Sequence, residues 1–482
     1  MIESSFSNYK LSSELIKAIS MLNYRNPTKV QELVIPAVLE QRDVIVKSQT
    51  GSGKTAAFAI PICELLDWNE NKPQALVITP TRELALQVKE DIFNLGRFKR
   101  IKVAAVFGGT SFYKQERELK QKNHVVVGTP GRIMDHLERG TFDPSKIRYL
   151  VIDEADEMLN MGFIEQIESI IERMPNERIT ILLSATMPED IVNLCDRYMK
   201  DPMHVEIEEE SKAIERIKQE IYTVGEKDKL NLLVDITIVE NPDSCIIFCN
   251  TKLKTDELFE EMKRLEYNCG KLHGGMEQSE RLKVIDDFRQ GAFRYLVTTD
   301  VAARGIDIDD ISLVINYDIP QDKESYVHRI GRTGRLGKSG KAITFVTPDE
   351  NKYLEDIQDY IGNRMELKDR PDKDTVESKK QDFYEKMRSL PQIRQRKGEQ
   401  LSRDIVKLHI NAGKKNKMRA VDIVGTLCSI EGMTAEDIGV INIEDVSTFV
   451  EILNNKGDAV LEALKDKPIK GKLRKVKKVE MK

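Results

Sequence analysis

Two tandem, doubly wound α/β domains with parallel sheets, followed by a small α+β domain, are the fold this sequence predicts, and three patterns carry that expectation. From about residue 43 to 207, short runs rich in Val and Ile (DVIVKS, ALVIT, KVAAVF, HVVVGT, YLVIDE, TILLSA) each precede a longer amphipathic stretch. Apolar runs separated by helix-length segments describe strands covered on both faces of a parallel sheet. The same grammar restarts at EIYTV (220–224) and continues through SCIIFC, RYLVTT, SLVINY and KAITFV to about residue 365. After residue 403, DIVKLHINAG, DIGVINIEDVSTFVEILN and KPIKGKLRKVKKV are strand-rich, while RAVDIVGTLCSI is helical. The expected units are an N-terminal domain (1–207), a charged linker (208–220), a second α/β domain (221–365), a polar linker with some helix (366–403) and the small domain (404–482).

Length and composition suit this division. A chain of 482 residues is too long for one ordinary core. Hydrophobic residues make up 40% and charged residues 32%, and no apolar run reaches bilayer length, so a globular chain without membrane contact is expected. The start, MIESSFSNYKLSSELIKAIS, lacks a basic segment followed by an apolar one, which predicts no signal peptide and a cytoplasmic location. Cys63, Cys195, Cys245, Cys249, Cys269 and Cys428 are scattered without paired metal-ligand spacing, so reduced thiols are expected rather than zinc. The net charge of −5 is uneven, because residues 401–482 carry 16 Lys+Arg against 12 Asp+Glu. That asymmetry hints at an anionic partner for the last segment. No coiled-coil heptad is present, so a monomer is expected.

The chemistry concentrates at two places in the first domain. SQTGSGKT (48–55) follows the strand DVIVK and opens a helix. Gly51 and Gly53 let backbone N–H groups of Ser48, Gln49, Thr50 and Ser52 curl around phosphate oxygens at the positive end of that helix. Lys54 would reach the outer phosphates of ATP, and Thr55 would offer its hydroxyl to Mg²⁺. The strand YLVID then delivers Asp153 and Glu154 at its carboxyl end, where open parallel sheets bind ligands. Asp153 can hold Mg²⁺ through water, and Glu154 can orient or deprotonate an attacking water. Together the two elements argue for nucleotide hydrolysis.

With these motifs in order, the sequence resembles the DEAD-box RNA helicases, and the likeness spans residues 1–365. NYRNPTKVQ (23–31) resembles the family's Q motif, with Phe6 upstream. The resemblance implies that Tyr24 stacks on adenine and Gln31 bonds its edge; Asn23 and Ser48 stand where the family usually has Gly and Ala. PTRELA (80–85), Gly108-Gly109 and TPGR (129–132) match segments that hold the RNA backbone, which implies contacts from Thr81, Arg82, Gly109, Thr129 and Arg132. SAT (184–186) resembles the element coupling hydrolysis to RNA remodelling, through Ser184 and Thr186.

The second domain continues the series with IIFCNT, HGGM, Gln278 with Arg281, TDVAARGID (299–307) and HRIGRTGR (328–335). The resemblance implies RNA contacts from Arg281 and Thr299, coupling by His328, ribose contact by Asp307, and Arg332 and Arg335 as arginine fingers. Two RecA-like domains that close over ATP and RNA imply RNA-dependent ATPase activity and local unwinding of short duplexes. His273 reads equally as an ordinary packed histidine.

A core that grips backbone carries little sequence information, so selectivity is expected from residues 404–482. These resemble an RRM-like domain, although only His409 and Phe449 lie near the usual stacking positions and no full RNP segment is present. The basic loop Lys414, Lys415, Lys417 and Arg419, within NAGKKNKMRA (411–420), is the candidate contact for structured RNA. A DEAD-box core with such a tail is similar to the bacterial DbpA/YxiN branch. That likeness implies a 23S ribosomal RNA hairpin as target and the pre-50S particle as setting. A generalist helicase in messenger RNA turnover or cold adaptation, and a non-enzymatic RNA clamp, are the alternatives.

Overall fold

The computed structural model describes residues 5–48, 51–207, 216–303, 311–334, 340–391 and 404–479. Gln49, Thr50, Asp307 and Arg335, all expected at the nucleotide, lie outside the described residues.

The first sheet contains β1 (Val44–Lys47), β2 (Ala75–Ile78), β3 (Val103–Val106), β4 (Val125–Gly128), β5 (Tyr149–Ile152), β6 (Ile179–Ser184) and β7 (Met203–Glu206). It has the order β3-β4-β2-β5-β6-β1-β7, and all its pairings are parallel. Alternate side chains of one strand enter opposite cores. Val44 and Val46 pack with the helices Lys29–Leu39, Lys54–Leu65 and Arg82–Leu95, whereas Ile45 packs with Ile133, Ile167 and Ile191 on the other face. The strands β2 to β5 therefore read as continuous apolar runs.

The second sheet repeats the plan with β8 (Ile217–Thr223), β9 (Cys245–Phe248), β10 (Cys269–Leu272), β11 (Tyr295–Thr298), β12 (Leu313–Asn316), β13 (Gly340–Val346) and β14 (Glu366–Leu367). Its order is β10-β11-β9-β12-β13-β8-β14. Part of the segment read as the polar linker 366–403 is built into this domain. Glu366 and Leu367 pair with Glu220 and Ile221, and the helix Lys373–Arg388 sinks Val376 and Phe383 into the core. The strand β8 likewise begins inside the segment read as the linker 208–220.

The third sheet is small and antiparallel, with β15 (Val406–Ile410), β16 (Ile438–Ile443), β17 (Thr448–Ile452) and β18 (Val476–Val479) in the order β16-β17-β15-β18. The helices Ala420–Cys428 and Gly457–Ala463 complete a βαββαβ arrangement, the order expected of an RRM-like domain. Leu408, Ile410, Val450 and Ile452 face the helices and form its core. Five of the six cysteines are buried and Cys428 is exposed, all as free thiols. Among the described residues, no helix is long and apolar enough to cross a membrane.

Candidate ATP site and RNA groove

The phosphate loop leaves β1 and enters the helix Lys54–Leu65, with positive φ at Gly51 (87°) and Gly53 (89°). Gln31 explains part of this shape. Its Oε1 accepts from the Thr28 N–H (3.0 Å), its Nε2 donates to the Gly53 carbonyl (3.1 Å), and Thr28 Oγ1 donates to the Ser52 carbonyl (2.9 Å). A Cβ on Gly53 would lie 2.6 Å from Gln31 Nε2, so the close approach requires glycine. Gln31 thus braces the loop while keeping one N–H and one lone pair for a ligand. Phe6 is buried edge-on against half-buried Tyr24, with ring centroids 6.4 Å apart. Lys54 is buried and donates to the Ser48 carbonyl at 2.6 Å, and Thr55 follows it in the first turn.

Opposite stands the end of β5. Asp153 is buried and accepts from the Glu154 N–H at 3.0 Å. Glu154 adopts the left-handed region (φ 52°, ψ 53°), an uncommon conformation for a residue with a Cβ and one that clusters at active sites. Burial, reinforced by the Asp153 charge, pushes Glu154 up to about 7, against the pull of Lys54 and Arg332. Burial likewise raises Asp153, opposed chiefly by Lys54. Two desolvated carboxyl groups beside one lysine are short of positive charge, and a divalent cation on Asp153 and Thr55 suits that donor set. Among the described residues, no protein-only cluster of three or more metal-ligating side chains is present.

Asp156 ties this centre to the segment 184–186. Its Oδ2 accepts from Ala185 N (3.1 Å), Thr186 N (2.9 Å) and Thr186 Oγ1 (3.2 Å), while Ser184 Oγ accepts from the Asp156 N–H (3.3 Å). One residue further on, Glu157 meets His328 of the second domain, with Oε1 2.8 Å from Nδ1. Arg332, four positions after His328 and buried, pulls the Glu154 pKa down from the second domain.

On the RNA side, Thr81 caps the helix Arg82–Leu95 by accepting from the Leu84 N–H. The Arg82 guanidinium lies against Gly108 and Gly109, and a Cβ on Gly109 (φ 76°) would sit 2.2 Å from its Nη1. Across the cleft, Arg82 Nη1 donates to Gln278 Oε1 (3.0 Å) and Gln278 Nε2 donates to Glu83 Oε1 (2.9 Å). Arg281 Nη2 meets the same Glu83 oxygen at 3.0 Å. Arg132 donates to Gln115 Oε1 (2.9 Å) and the Thr110 carbonyl (3.2 Å), and Gln115 Nε2 in turn holds the Phe107 carbonyl (2.9 Å). Thr129 stands at the N-cap of the helix Pro130–Glu138, and Thr299 is buried just after β11.

In the third domain, Lys414, Lys415, Lys417 and Arg419 are exposed and form no ion pair among the described residues. Their loop is nonetheless ordered by the neighbouring turn, since the Lys414 and Lys415 N–H groups donate to the Glu444 and Asp445 carbonyls at 2.7 and 2.8 Å. His409 and Phe449 form one cross-strand pair with centroids 5.0 Å apart. Asp156, Glu157, Glu83 and Gln115 join the site without any signal in the sequence that assigns them a role. The first three lie in or beside YLVIDE and PTRELA, but their partners are remote in sequence and no local spacing reveals them.

The models of three families match this chain: the DEAD/DEAH box helicase over residues 28–194, the helicase conserved C-terminal domain over 228–337 and the DbpA RNA-binding domain over 407–478. The ATP-dependent RNA helicase DbpA of Bacillus subtilis is 56% identical over 475 residues, covering 98% of this chain and 99% of that protein. The chain belongs to the DEAD-box RNA helicases. It is therefore an RNA-dependent ATPase and helicase of the DbpA type. The helicase CshA of Geobacillus kaustophilus is 45% identical over 361 residues, 75% of this chain and 77% of that one. Among solved structures, Dbp5 of S. cerevisiae bound to RNA and ADP BeF3 is 34% identical with a TM-score of 0.72, covering 79% of this chain and 99% of that chain. Mss116p bound to ssRNA and AMP-PNP is 28% identical with a TM-score of 0.69, covering 80% of this chain and 82% of that chain.

Proposed function

We propose that this DEAD-box helicase couples ATP hydrolysis to local strand separation through the bonds that bridge its two RecA-like domains, and that its C-terminal domain addresses it to structured RNA. The observation that carries the coupling is the shared chain Arg82–Gln278–Glu83–Arg281, which joins RNA-side residues of both domains, while Arg332 bears on Glu154 from across the same cleft. Each ligand then favours the closed state by its differential affinity, and each strengthens the other's effect. Lys54 and the loop around Gly51–Gly53 bind the phosphates, with Tyr24 and Gln31 at the base. Glu154 takes a proton from the attacking water, and Arg332, with Arg335, offsets charge on the transferring phosphoryl group. Thr55 and Asp153 would hold Mg²⁺, which would help neutralise the phosphate oxygens. Asp156 links that event to Ser184 and Thr186. Thr81, Arg82, Gly109, Thr129, Arg132, Arg281 and Thr299 hold RNA backbone without reading bases.

The target is a hairpin of 23S ribosomal RNA, and the setting is assembly of the large subunit in the cytoplasm, with the protein acting as a monomer. The DbpA RNA-binding domain match and the exposed cationic loop 414–419 support that reading. ATPase stimulation by 23S fragments should exceed stimulation by unrelated RNA of equal length. Equal stimulation would favour a generalist helicase instead. Crosslinked RNA recovered from cells should change when residues 404–482 are deleted.

A further inference from the structure

The loop 107–109 and the segment 129–132 leave the carboxyl ends of two adjacent parallel strands, β3 and β4. Because β3 is the edge of its sheet, the loop that follows it has a neighbouring strand on one side only. A side chain holds it from elsewhere. The helix Phe112–Leu119 buries a single residue, and that residue is Gln115, 5% exposed. An amide as the one buried side chain of a helix is there for its hydrogen bonds rather than for an apolar core.

The two ends of this amide face different motifs. Nε2 donates to the Phe107 carbonyl at 2.9 Å and to Thr110 Oγ1, on the loop that carries Gly108 and Gly109. Oε1 accepts from Arg132 Nη1 at 2.9 Å, and the same Nη1 donates to the Thr110 carbonyl at 3.2 Å. With Arg132 Nε 3.3 Å from Asp135 Oδ2, the guanidinium is held at two atoms, and among the described residues its Nη2 has no acceptor. His136 fixes Gln115 in turn. It is fully buried, its Nε2 lies 3.3 Å from Gln115 Oε1, and its Nδ1 lies 2.7 Å from Thr141 Oγ1. Because Oε1 is an acceptor, the ring hydrogen belongs on Nε2. Burial, helped by the Arg132 charge, pulls the His136 pKa down to about 4 and keeps the ring neutral. Phe112 stacks on that ring with centroids 4.2 Å apart.

We infer that Gln115 is a positioning residue for RNA: its amide locks the loop of Gly108 and Gly109 to the Arg132 guanidinium, so that two grips on the RNA backbone keep a fixed spacing. This rests on the proposed contacts of Gly109 and Arg132 with RNA and adds the residue that sets their register. The chemistry selects an amide, which donates at one end and accepts at the other. An ionised Glu would accept from Arg132 but offer the Phe107 carbonyl no hydrogen, and Leu would fill the space and do neither.

The test measures binding of the full-length chain to a fluorescein-labelled oligo(U), with a non-hydrolysable ATP analogue present, over a series of salt concentrations. Arg132→Ala should weaken binding and flatten the slope of log K against log[salt] by roughly 0.7, the loss of one phosphate contact on a single strand. Gln115→Leu should weaken binding by about 2–10-fold and flatten the slope by a similar amount, which destabilisation alone does not do. In the double variant the two effects should be less than multiplicative, because both act through Arg132. His136→Leu should repeat the Gln115→Leu result at smaller size, and His136→Gln, which keeps a donor facing Gln115, should bind closer to wild type. That pair reads the inference even where Gln115→Leu fails to fold. If Arg132→Ala binds as wild type does, Arg132 does not hold RNA and the inference falls with that reading. If Arg132→Ala weakens binding, the positioning role alone is overturned by any of three results: Gln115→Leu at wild-type affinity, Gln115→Leu weakened with an unchanged slope, or His136→Leu no weaker than His136→Gln.

Discussion

The cleft between the two RecA-like domains and the seam between the first of them and the C-terminal domain are both bridged by arginines, yet they differ in what is left over. At the seam, Arg97 ends on the Glu451 carboxylate and Arg100 on two backbone carbonyls of the C-terminal domain. In the cleft, Glu154 is strained into the left-handed region and pushed up to about 7, and Asp153 is raised as well. Perturbed carboxyl groups and backbone strain in one place mark a surface arranged for a ligand that brings positive charge and takes up phosphate. The cleft holds strained and desolvated groups, whereas the seam pairs each arginine with an acceptor of the C-terminal domain.

The sharpest way to break this contrast is at Glu154. Glu154→Gln should lower RNA-stimulated ATP turnover by about 10²–10⁴-fold, with ATP still binding; a variant with full turnover would remove the carboxylate from the mechanism. Arg332→Ala should cost about 10²–10³-fold in turnover, and the loss should appear only in the presence of RNA that closes the cleft. Next in size is the pH dependence. Glu154 acts as base only when ionised and its pKa lies near 7, so kcat/KM for ATP should fall about tenfold per pH unit below that value. A profile flat down to pH 5 would mean that another group accepts the proton. The smallest effect is expected at the loop: changing Lys414, Lys415 and Lys417 together to Ala should weaken RNA binding and flatten its salt slope by roughly 2–3, with RNA-free ATPase unchanged.

The contrast also explains what the sequence could and could not disclose. Strands such as β2 and β9 were legible because burial on both faces demands an unbroken apolar run, and ALVI and CIIF supply it. The helix Lys373–Arg388 was read as part of an exposed linker because only Val376 and Phe383 of its residues are buried. Two apolar contacts in a largely charged helix leave a faint pattern. The phosphate loop and the acidic strand end were legible because their chemistry is local: neighbouring residues do one job. Asp156 on Thr186, Gln278 on Glu83 and Arg97 on Glu451 join residues remote in sequence, so only the folded chain reveals them. Gln31 shows the reverse case. Its place in the motif was plain, but its role in bracing Gly53 came from the geometry.

The central claim is that the bonds across the cleft carry the coupling between RNA and ATP, and Gln278 tests it most directly because it touches both Arg82 and Glu83 from the opposite domain. ATP turnover of Gln278→Leu should be measured over a range of RNA concentrations beside wild type. The account predicts an unchanged rate without RNA and a half-saturating RNA concentration raised by about 5–150-fold, the range of a typical coupling energy. An RNA response identical to wild type would contradict it.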